Sequence, residues 1–164
     1  MTTKPSRFLA LPLTLAFATL MVALPAEAEV VVNELVPFSQ LVTIDCDQDG
    51  TPEDTVAISG QLHVLITTTS NGTVTTLRDL FVPRNVTGTG TITGATYRGV
   101  GNSQDTTIQV TGGPSVFTLV NNFYIIGQDG GYRYLVHETF HVTMDADGNV
   151  VVSHDNAFIT CPGR

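Results

Sequence analysis

The chain has 164 residues, of which 42% are hydrophobic and 13% charged, and its formal net charge is −8. This composition is apolar enough for one folded domain and does not fit intrinsic disorder. Nucleic acid and an anionic membrane surface are also poor partners for so acidic a chain, because both bind through clustered cations.

The first 28 residues have the order of a secretory signal peptide. Lys4 and Arg7 precede an apolar run over residues 8–24, and residues 25–28 then offer an Ala-x-Ala cleavage site. We predict cleavage after residue 28, with a retained N-terminal anchor as the alternative. The remaining residues, 29–164, are then a single secreted domain, extracellular or periplasmic, that is not inserted in a membrane.

Cys46 and Cys161 are the two cysteines of the chain. In an exported protein such a pair predicts one disulfide, although two free buried thiols are an alternative. The bond would close a loop of roughly 115 residues, which corresponds to about 4–5 kcal/mol of stabilisation at most.

Alternating apolar and polar residues predict a half-buried strand over residues 56–67, and Asn71-Gly72 after it is a strong hairpin signal. Similar runs rich in Val and Thr predict further strands at residues 73–82, 86–97, 106–111, 116–126, 132–144 and 150–161, with residues 35–44 as a candidate for one more. Turns are predicted at residues 99–103, 112–114, 127–131 and 145–149.

No window after the signal carries the apolar stripe of a helix. We therefore predict an all-β fold, an antiparallel meander of seven or eight strands. A closed or nearly closed β-barrel is favoured because it removes exposed sheet edges, and a sandwich is the alternative. In a simple meander of the predicted strands the two cysteines fall at opposite ends. Either a further reversal occurs near Gly94, or residues 47–54 run along the barrel.

Residues 137–141, His-Glu-Thr-Phe-His, match the H-E-x-x-H pattern of zinc proteases. That chemistry requires a helix, which places the two histidines one turn apart on one face. Here the flanking residues are typical of a strand, in which positions i and i+4 lie about 13 Å apart. Glu138 would also point to the opposite face from both histidines. We interpret the match as fortuitous and assign no catalytic residue to it.

Asp45, Asp47 and Asp49 alternate ahead of Gly50, as in the first half of a calcium-binding loop. The twelfth position, where such loops have a bidentate Glu, is Val56. The segment is therefore either a calcium site or a solvated acidic loop, and no other cofactor is expected. The similar segment at residues 145–149 is better explained as a hairpin turn.

The four histidines all lie on predicted strands. Two or more of them would meet if they faced each other across neighbouring strands, which would allow a cluster for a transition metal or for acid–base chemistry in a pocket. Separate hydrogen-bonded side chains are the alternative. These residues are His63, His137, His141 and His154.

Four segments of the chain together resemble a group of small exported bacterial proteins to which no activity is assigned. The resemblance covers residues 60–161 and implies secretion and an all-β fold. It brings no catalytic residue to this chain, and the group's equivalent of residues 45–54 is not consistently acidic, which disfavours a general calcium role. The segments are Gly60-x-Leu62-His63-Val64, Thr93-Gly94-x-x-Tyr97, Val120-Asn121-Asn122-Phe123-x-Ile125-Ile126-Gly127-Gln128 and Leu135-Val136-His137-Glu138-x-Phe140-His141-Val142-Thr143.

Three functional hypotheses follow. The first is a secreted, non-enzymatic β-barrel that binds a small apolar molecule or a protein partner. The second is a cofactor-free barrel enzyme of isomerase or cyclase type, with His, Glu or Tyr in its pocket as acid and base. The third is a calcium-stabilised structural or surface protein. An internal cavity would favour the binding protein, and a titratable cluster inside that cavity would favour the enzyme. A melting temperature that depends on calcium would favour the calcium-stabilised protein.

Overall fold

The computed structural model describes residues 27–127 and 133–161, which form seven β-strands and no helix. Each strand pairs antiparallel with the next in a single sheet, so the predicted all-β meander is confirmed, with seven strands. The strands are β1 (Glu27–Ile44), β2 (Asp54–Ser70), β3 (Val74–Gly90), β4 (Thr96–Val110), β5 (Ser115–Gly127), β6 (Arg133–Met144) and β7 (Val150–Thr160).

In the middle of the chain, β3 and β4 form one long hairpin, although the sequence predicted an interruption within each of these strands. β3 continues through Pro83 and β4 continues through residues 99–103, so the predicted interruptions there are wrong. Pro83 lies in a register shift between Phe81 and Val86, and a bulge of this kind tolerates a residue without an N–H. The chain reverses instead at residues 91–95, where Gly94 has a φ of 71°.

The odd number of strands brings the two cysteines to the same end of the sheet. β1 and β7 run in the same direction, and Cys46 and Cys161 each follow the end of one of them. Their Cα atoms are 5.8 Å apart and a disulfide joins the two residues, as predicted. Two explanations were left open for how the cysteines come together, and the further reversal near Gly94 is therefore the correct one.

The sheet curls until its strands share one core. Phe38 of β1 and Phe123 of β5 have ring centroids 6.4 Å apart, so β1 lies across from β5. Within the described residues β1 and β7 are not hydrogen-bonded to each other, so the sheet is curled but not closed into the favoured barrel. We call the gap between β1 and β7 the seam, and the disulfide spans it at one end. The core side chains are those of Val42, Ile44, Val56, Ile58, Val86, Tyr97, Phe123, Ile125, Tyr134 and Cys161.

Two glycines allow neighbouring backbones and side chains to approach closely inside the curl. A Cβ atom on Gly60 would lie 2.7 Å from the carbonyl oxygen of Asn85. A Cβ atom on Gly99 would lie 2.7 Å from a methyl group of Val86. The β2–β3 register also shifts beside Gly60, and such bulges increase the local bend of a sheet.

Alternation along each strand gives the sheet an inner face, which carries the core, and an outer face. Register partners on neighbouring strands point to the same face. The register therefore assigns strand residues to a face throughout the sheet. Ser103 of β4, for example, shares the inner face with its partners Phe81 on β3 and Asn121 on β5.

Some sequence predictions concern residues outside the described ranges. The signal peptide, predicted over residues 1–28, lies outside them except for residues 27 and 28, which begin β1. The predicted turn at residues 127–131 also lies outside, apart from Gly127, as does residue 132. None of the described residues belongs to a helix long and apolar enough to cross a membrane.

Candidate ligand-binding site

A cavity of about 330 Å³ lies inside the curled sheet, next to the core. Residues of the six strands β1 to β6 line it. Its volume lies at the lower end of the range for small-molecule sites. The lining residues are Phe38, Gln40, Leu41, Val42, Thr43, Leu62, Phe81, Pro83, Ser103, Asn121, Phe123 and Val136.

The wall of the cavity is mainly apolar and does not titrate. Phe38, Phe81 and Phe123 contribute aromatic rings from three different strands, and Leu62 and Val136 add aliphatic surface. None of the lining side chains is an acid or a base. This arrangement favours an apolar guest by burial of its surface.

Ser103 and Asn121 form a polar point on this wall. The Ser103 hydroxyl donates a hydrogen bond of 2.6 Å to the side-chain oxygen of Asn121. The Nδ2 group of Asn121 donates no hydrogen bond to another described residue. It is therefore a donor that a ligand oxygen can use, in the way that a few polar groups orient ligands in apolar pockets.

The cavity reaches the free edge of β1. Residues 40–43 all line it, although alternate residues of a strand point to opposite faces. Leu41, which is on the outer face by its register, is 62% exposed. No residue of β7 lines the cavity. The seam is therefore the entrance that the geometry offers to a ligand.

Two carboxyl groups lie on the inner face beside the cavity, on the side away from the disulfide. Asp79 of β3 and Asp105 of β4 are register partners, and each is two residues from a cavity-lining residue, Phe81 or Ser103. Burial, then the charge of Asp79 and a hydrogen bond to it, raise the pKa of Asp105 to about 6. The Oδ1 atom of Asp79 is buried and has no hydrogen-bond partner among the described residues. Asp105 therefore holds a proton more tightly than an isolated aspartate does.

Asp54 is a third interior carboxylate, at the opposite side of the core. It is 2% exposed and accepts hydrogen bonds from the backbone N–H of Thr55 and Ile92 and from the hydroxyls of Thr93 and Tyr97. Burial alone would raise the pKa of Asp54, but these hydrogen bonds together lower it below the usual value. Asp54 is thus a buried, fully engaged anion that fixes the β3–β4 turn.

Three of the four histidines share one patch of the outer face. His141 of β6 and His154 of β7 are register partners, and His137 lies on the same face of β6. His63 lies far from them on β2, where its Nε2 is 2.7 Å from the side-chain oxygen of Asn33. The structure thus brings His141 and His154 together, does not bring His63 to them, and places none of the four in the cavity.

The H-E-x-x-H segment lies within β6, as the sequence predicted. The Nδ1 of His137 is 2.8 Å from the Asn122 side-chain oxygen, and its Nε2 is 3.2 Å from the Thr139 hydroxyl. The two ring nitrogens of His141 also have partners, and both partners are hydroxyl groups, those of Thr118 and Thr143. Glu138 lies on the inner face, opposite to both histidines. These positions form a hydrogen-bonded surface row and not the compact triad of a helical zinc site.

The acidic loop after β1 brings three carboxylates together. Oxygen atoms of Asp45, Asp47 and Asp49 lie within 4.8 Å of one another. The Oδ1 of Asp45 is buried without a hydrogen-bond partner, while its Oδ2 accepts a hydrogen bond from the Gly50 N–H. Val56, the twelfth position, is fully buried in the core, so the loop does not complete the twelve-residue calcium pattern.

The segment at residues 145–149 forms the hairpin turn that the sequence predicted. Asp145 and Asn149 are joined by a backbone hydrogen bond of 2.9 Å. The Asp145 carboxylate accepts the N–H groups of Asn149 and Asp147, which lowers the pKa of this half-buried side chain. No metal role is needed to explain its acidic residues.

No protein-family model matches the chain, and neither a curated protein nor a solved structure is significantly similar to it.

Proposed function

We propose that the protein is a secreted, non-enzymatic binding protein that holds a small, largely apolar molecule inside its curled sheet. The observation that supports this most is the cavity of about 330 Å³, with aromatic and aliphatic walls and an uncommitted amide donor at Asn121. Burial of apolar surface would supply the affinity, and the amide would orient an oxygen atom of the ligand.

Binding is better supported than catalysis. An isomerase or cyclase that uses no cofactor needs an acid or a base in contact with its substrate. The described residues that line the cavity include no titratable side chain, and the histidines considered for this role lie on the outer face. The carboxyl groups of Asp79 and Asp105 lie two residues beyond the lining.

The intramolecular disulfide is consistent with an oxidising compartment. We infer that residues 1–28 direct export and are removed, so that the protein acts outside the cytoplasm. The absence of lysine after residue 4 and the acidic balance of the chain suit a soluble exported protein.

The first experiment is native mass spectrometry of the protein recovered from the medium or periplasm of cells that export it. The second is a fluorescence titration with N-phenyl-1-naphthylamine, a neutral apolar dye whose fluorescence emission increases in an apolar environment. The chain has no tryptophan to interfere. We expect saturable binding of the dye by the wild-type protein.

Filling the cavity should abolish this binding. Val136→Phe adds bulk to the wall, and Val151→Phe makes the same change at an exposed position of β7 as a matched control. We expect Val136→Phe to weaken dye binding by about tenfold or more, which corresponds to 1.4 kcal/mol or above. If this variant is not folded by circular dichroism, Ser103→Leu replaces it. Equal dye binding by a folded filling variant and by Val151→Phe would contradict the proposal.

The acidic loop supports calcium stabilisation as a second candidate function. The observations in its favour are the convergence of the Asp45, Asp47 and Asp49 carboxylates and the buried, unpartnered Oδ1 of Asp45. Calcium that binds only the folded state would raise the melting temperature, and EDTA would reverse the increase. Asp47→Asn should remove the effect, whereas Asp147→Asn in the far hairpin should not. An unchanged melting temperature in millimolar calcium would eliminate this candidate.

A further inference from the structure

Acidic and basic side chains lie on opposite faces of this sheet. The register places Asp79, Asp105 and Glu138 on the inner face. The edge strands add Glu29 and Glu34 on β1 and Asp155 on β7 to the same face. All six are on the side of the cavity that is further from the disulfide.

The basic side chains of the strands are all on the outer face. Among the residues that the structure describes, no Arg, Lys or His lies on the inner face. Arg133, for example, stacks on the outer-face ring of Tyr124, with its guanidinium carbon 4.2 Å from the ring centroid. The described basic residues are His63, Arg78, Arg84, Arg98, Arg133, His137, His141 and His154.

The inner carboxylates adjoin the apolar cavity. Asp79 and Asp105 are two residues from the lining residues Phe81 and Ser103, a rise of about 6–7 Å along the strands. Glu138 is the register partner of Asn121, another lining residue, which places their Cβ atoms about 5 Å apart. A molecule with its apolar part in the cavity would therefore extend its other end among these carboxylates.

The edge carboxylates extend the acidic region to the entrance. Glu34 on β1 and Asp155 on β7 are both exposed and stand on the two sides of the seam. A cleft lined by one sign of charge concentrates ligands of the opposite sign. Such a cleft disfavours an anionic head group, which would meet several carboxylates and, within the described part of the chain, no compensating cation on the inner face.

We propose that the ligand of the cavity is a cationic amphiphile, whose apolar body fills the cavity and whose ammonium group lies between Asp79, Asp105 and Glu138. This inference rests on the proposed binding function and adds the chemical class of the ligand. The apolar cavity and the separation of charges by face are independent observations, and both point to it. The buried, unpartnered Oδ1 of Asp79 is an acceptor that the ammonium group would satisfy.

Proton release accompanies binding in this arrangement. Asp105 faces Asp79 on β3 and the apolar Leu119 on β5, with Glu138 on β6 and Asp155 on β7 further along the inner face. With no cation beside it, Asp105 binds a proton as the pH falls to about 6, because burial and then the charge of Asp79 raise its pKa to about 6. A bound ammonium group would displace this proton.

The test compares three ligands with the same apolar chain, namely decylamine, decanol and decanoate, by displacement of the dye from the full-length exported protein at neutral pH. We expect decylamine to bind about tenfold more tightly than decanol, and decanoate more weakly than decanol. If decanol or decanoate binds as tightly as decylamine, the cationic class is wrong and the binding function stands. If neither dye nor ligand binds, both proposals are overturned.

Variants then test whether the inner-face carboxylates cause the preference for decylamine over decanol. In Asp79→Asn/Asp105→Asn we expect the advantage of decylamine over decanol to fall to about threefold or less. Asp147→Asn removes a charge from an exposed turn outside both candidate sites and should keep the full advantage. An advantage that survives in the inner-face variant would overturn the proposed position of the ammonium group.

A calorimetric measurement on the wild-type protein avoids dependence on the folding of that variant. Near pH 6, decylamine binding should release protons, seen as a binding enthalpy that changes with the ionisation enthalpy of the buffer. Decanol binding should release none. Equal proton release for the two ligands would contradict the displacement of the Asp105 proton.

Discussion

At the scale of the residue, Asp54 is the clearest example of a buried charge that the fold requires. Its carboxylate connects the start of β2 to the turn between β3 and β4 through the backbone of Ile92 and the hydroxyls of Thr93 and Tyr97. Burial and the adjacent Asp54 carboxylate raise the pKa of Tyr97 to about 12, so the phenol remains a donor at any physiological pH. Such an anion stabilises a fold only while every donor around it is retained.

Asp54→Asn should therefore be strongly destabilising. It keeps the size of the side chain but replaces an accepting oxygen by a donor that faces other donors. We expect a loss of about 3 kcal/mol in the free energy of unfolding at neutral pH, measured by urea denaturation. Asp147→Asn, on an exposed turn, is the control and should change stability by less than about 0.5 kcal/mol.

The effect of Asp54→Asn should depend on pH. Because the folded state lowers the pKa of Asp54, its stabilising contribution is complete above the unfolded pKa of about 4 and is lost as the pH falls through the folded pKa. The stability difference between wild type and variant should narrow in that acidic range. A difference that stays constant from neutral to strongly acidic pH would mean that the ionised carboxylate is not the stabilising species.

Sequence patterns did not reveal these interior carboxylates. The side-chain partners of Asp54 are 39 and 43 residues away in the chain, and only the β3–β4 reversal brings them to it. Asp79 and Asp105 meet through a strand register that the predicted strand ends obscured. A usable signal was present in the pairs Arg78-Asp79, His137-Glu138 and His154-Asp155. Within a strand, adjacent residues of opposite charge point to opposite faces.

At the scale of the element, alternation of apolar and polar residues was enough to predict strands, and turn residues located the Asn71-Gly72 and residue 145–149 hairpins. The middle of the chain was harder, because glycines there have two roles. Gly94 forms a turn, whereas Gly99 provides space for the core within a continuous strand. Single-residue signals do not distinguish the two roles, since both need the absence of a side chain.

The disulfide restrains the two edge strands at one end of the seam. Cys46→Ser/Cys161→Ser should lower the free energy of unfolding by up to about 4–5 kcal/mol, because the bond closes a loop of 115 residues in the unfolded chain. Urea denaturation of this variant measures the loss. Oxidised wild-type protein treated with a thiol under mild conditions should approach the same stability. A loss below about 1 kcal/mol would show that the seam is held by other contacts.

At the scale of the whole molecule, the curl of one continuous sheet explains the cavity, the entrance and the separation of charges together. Packing of β1 across β5 completes the core next to the disulfide, and the cavity forms where this packing ends. Further from the disulfide, the inner face carries carboxylates, and the edge strands leave it open to solvent. An apolar chamber next to an acidic entrance is an arrangement suited to an amphiphile.

The position of a bound ligand tests this account most directly. Intermolecular nuclear Overhauser effects between the methylene protons of decylamine and the ring protons of the protein would locate the chain of the ligand. We predict contacts to the cavity rings of Phe38, Phe81 and Phe123. Contacts confined to outer-face rings, such as those of Tyr124 and Phe158, would contradict binding inside the sheet.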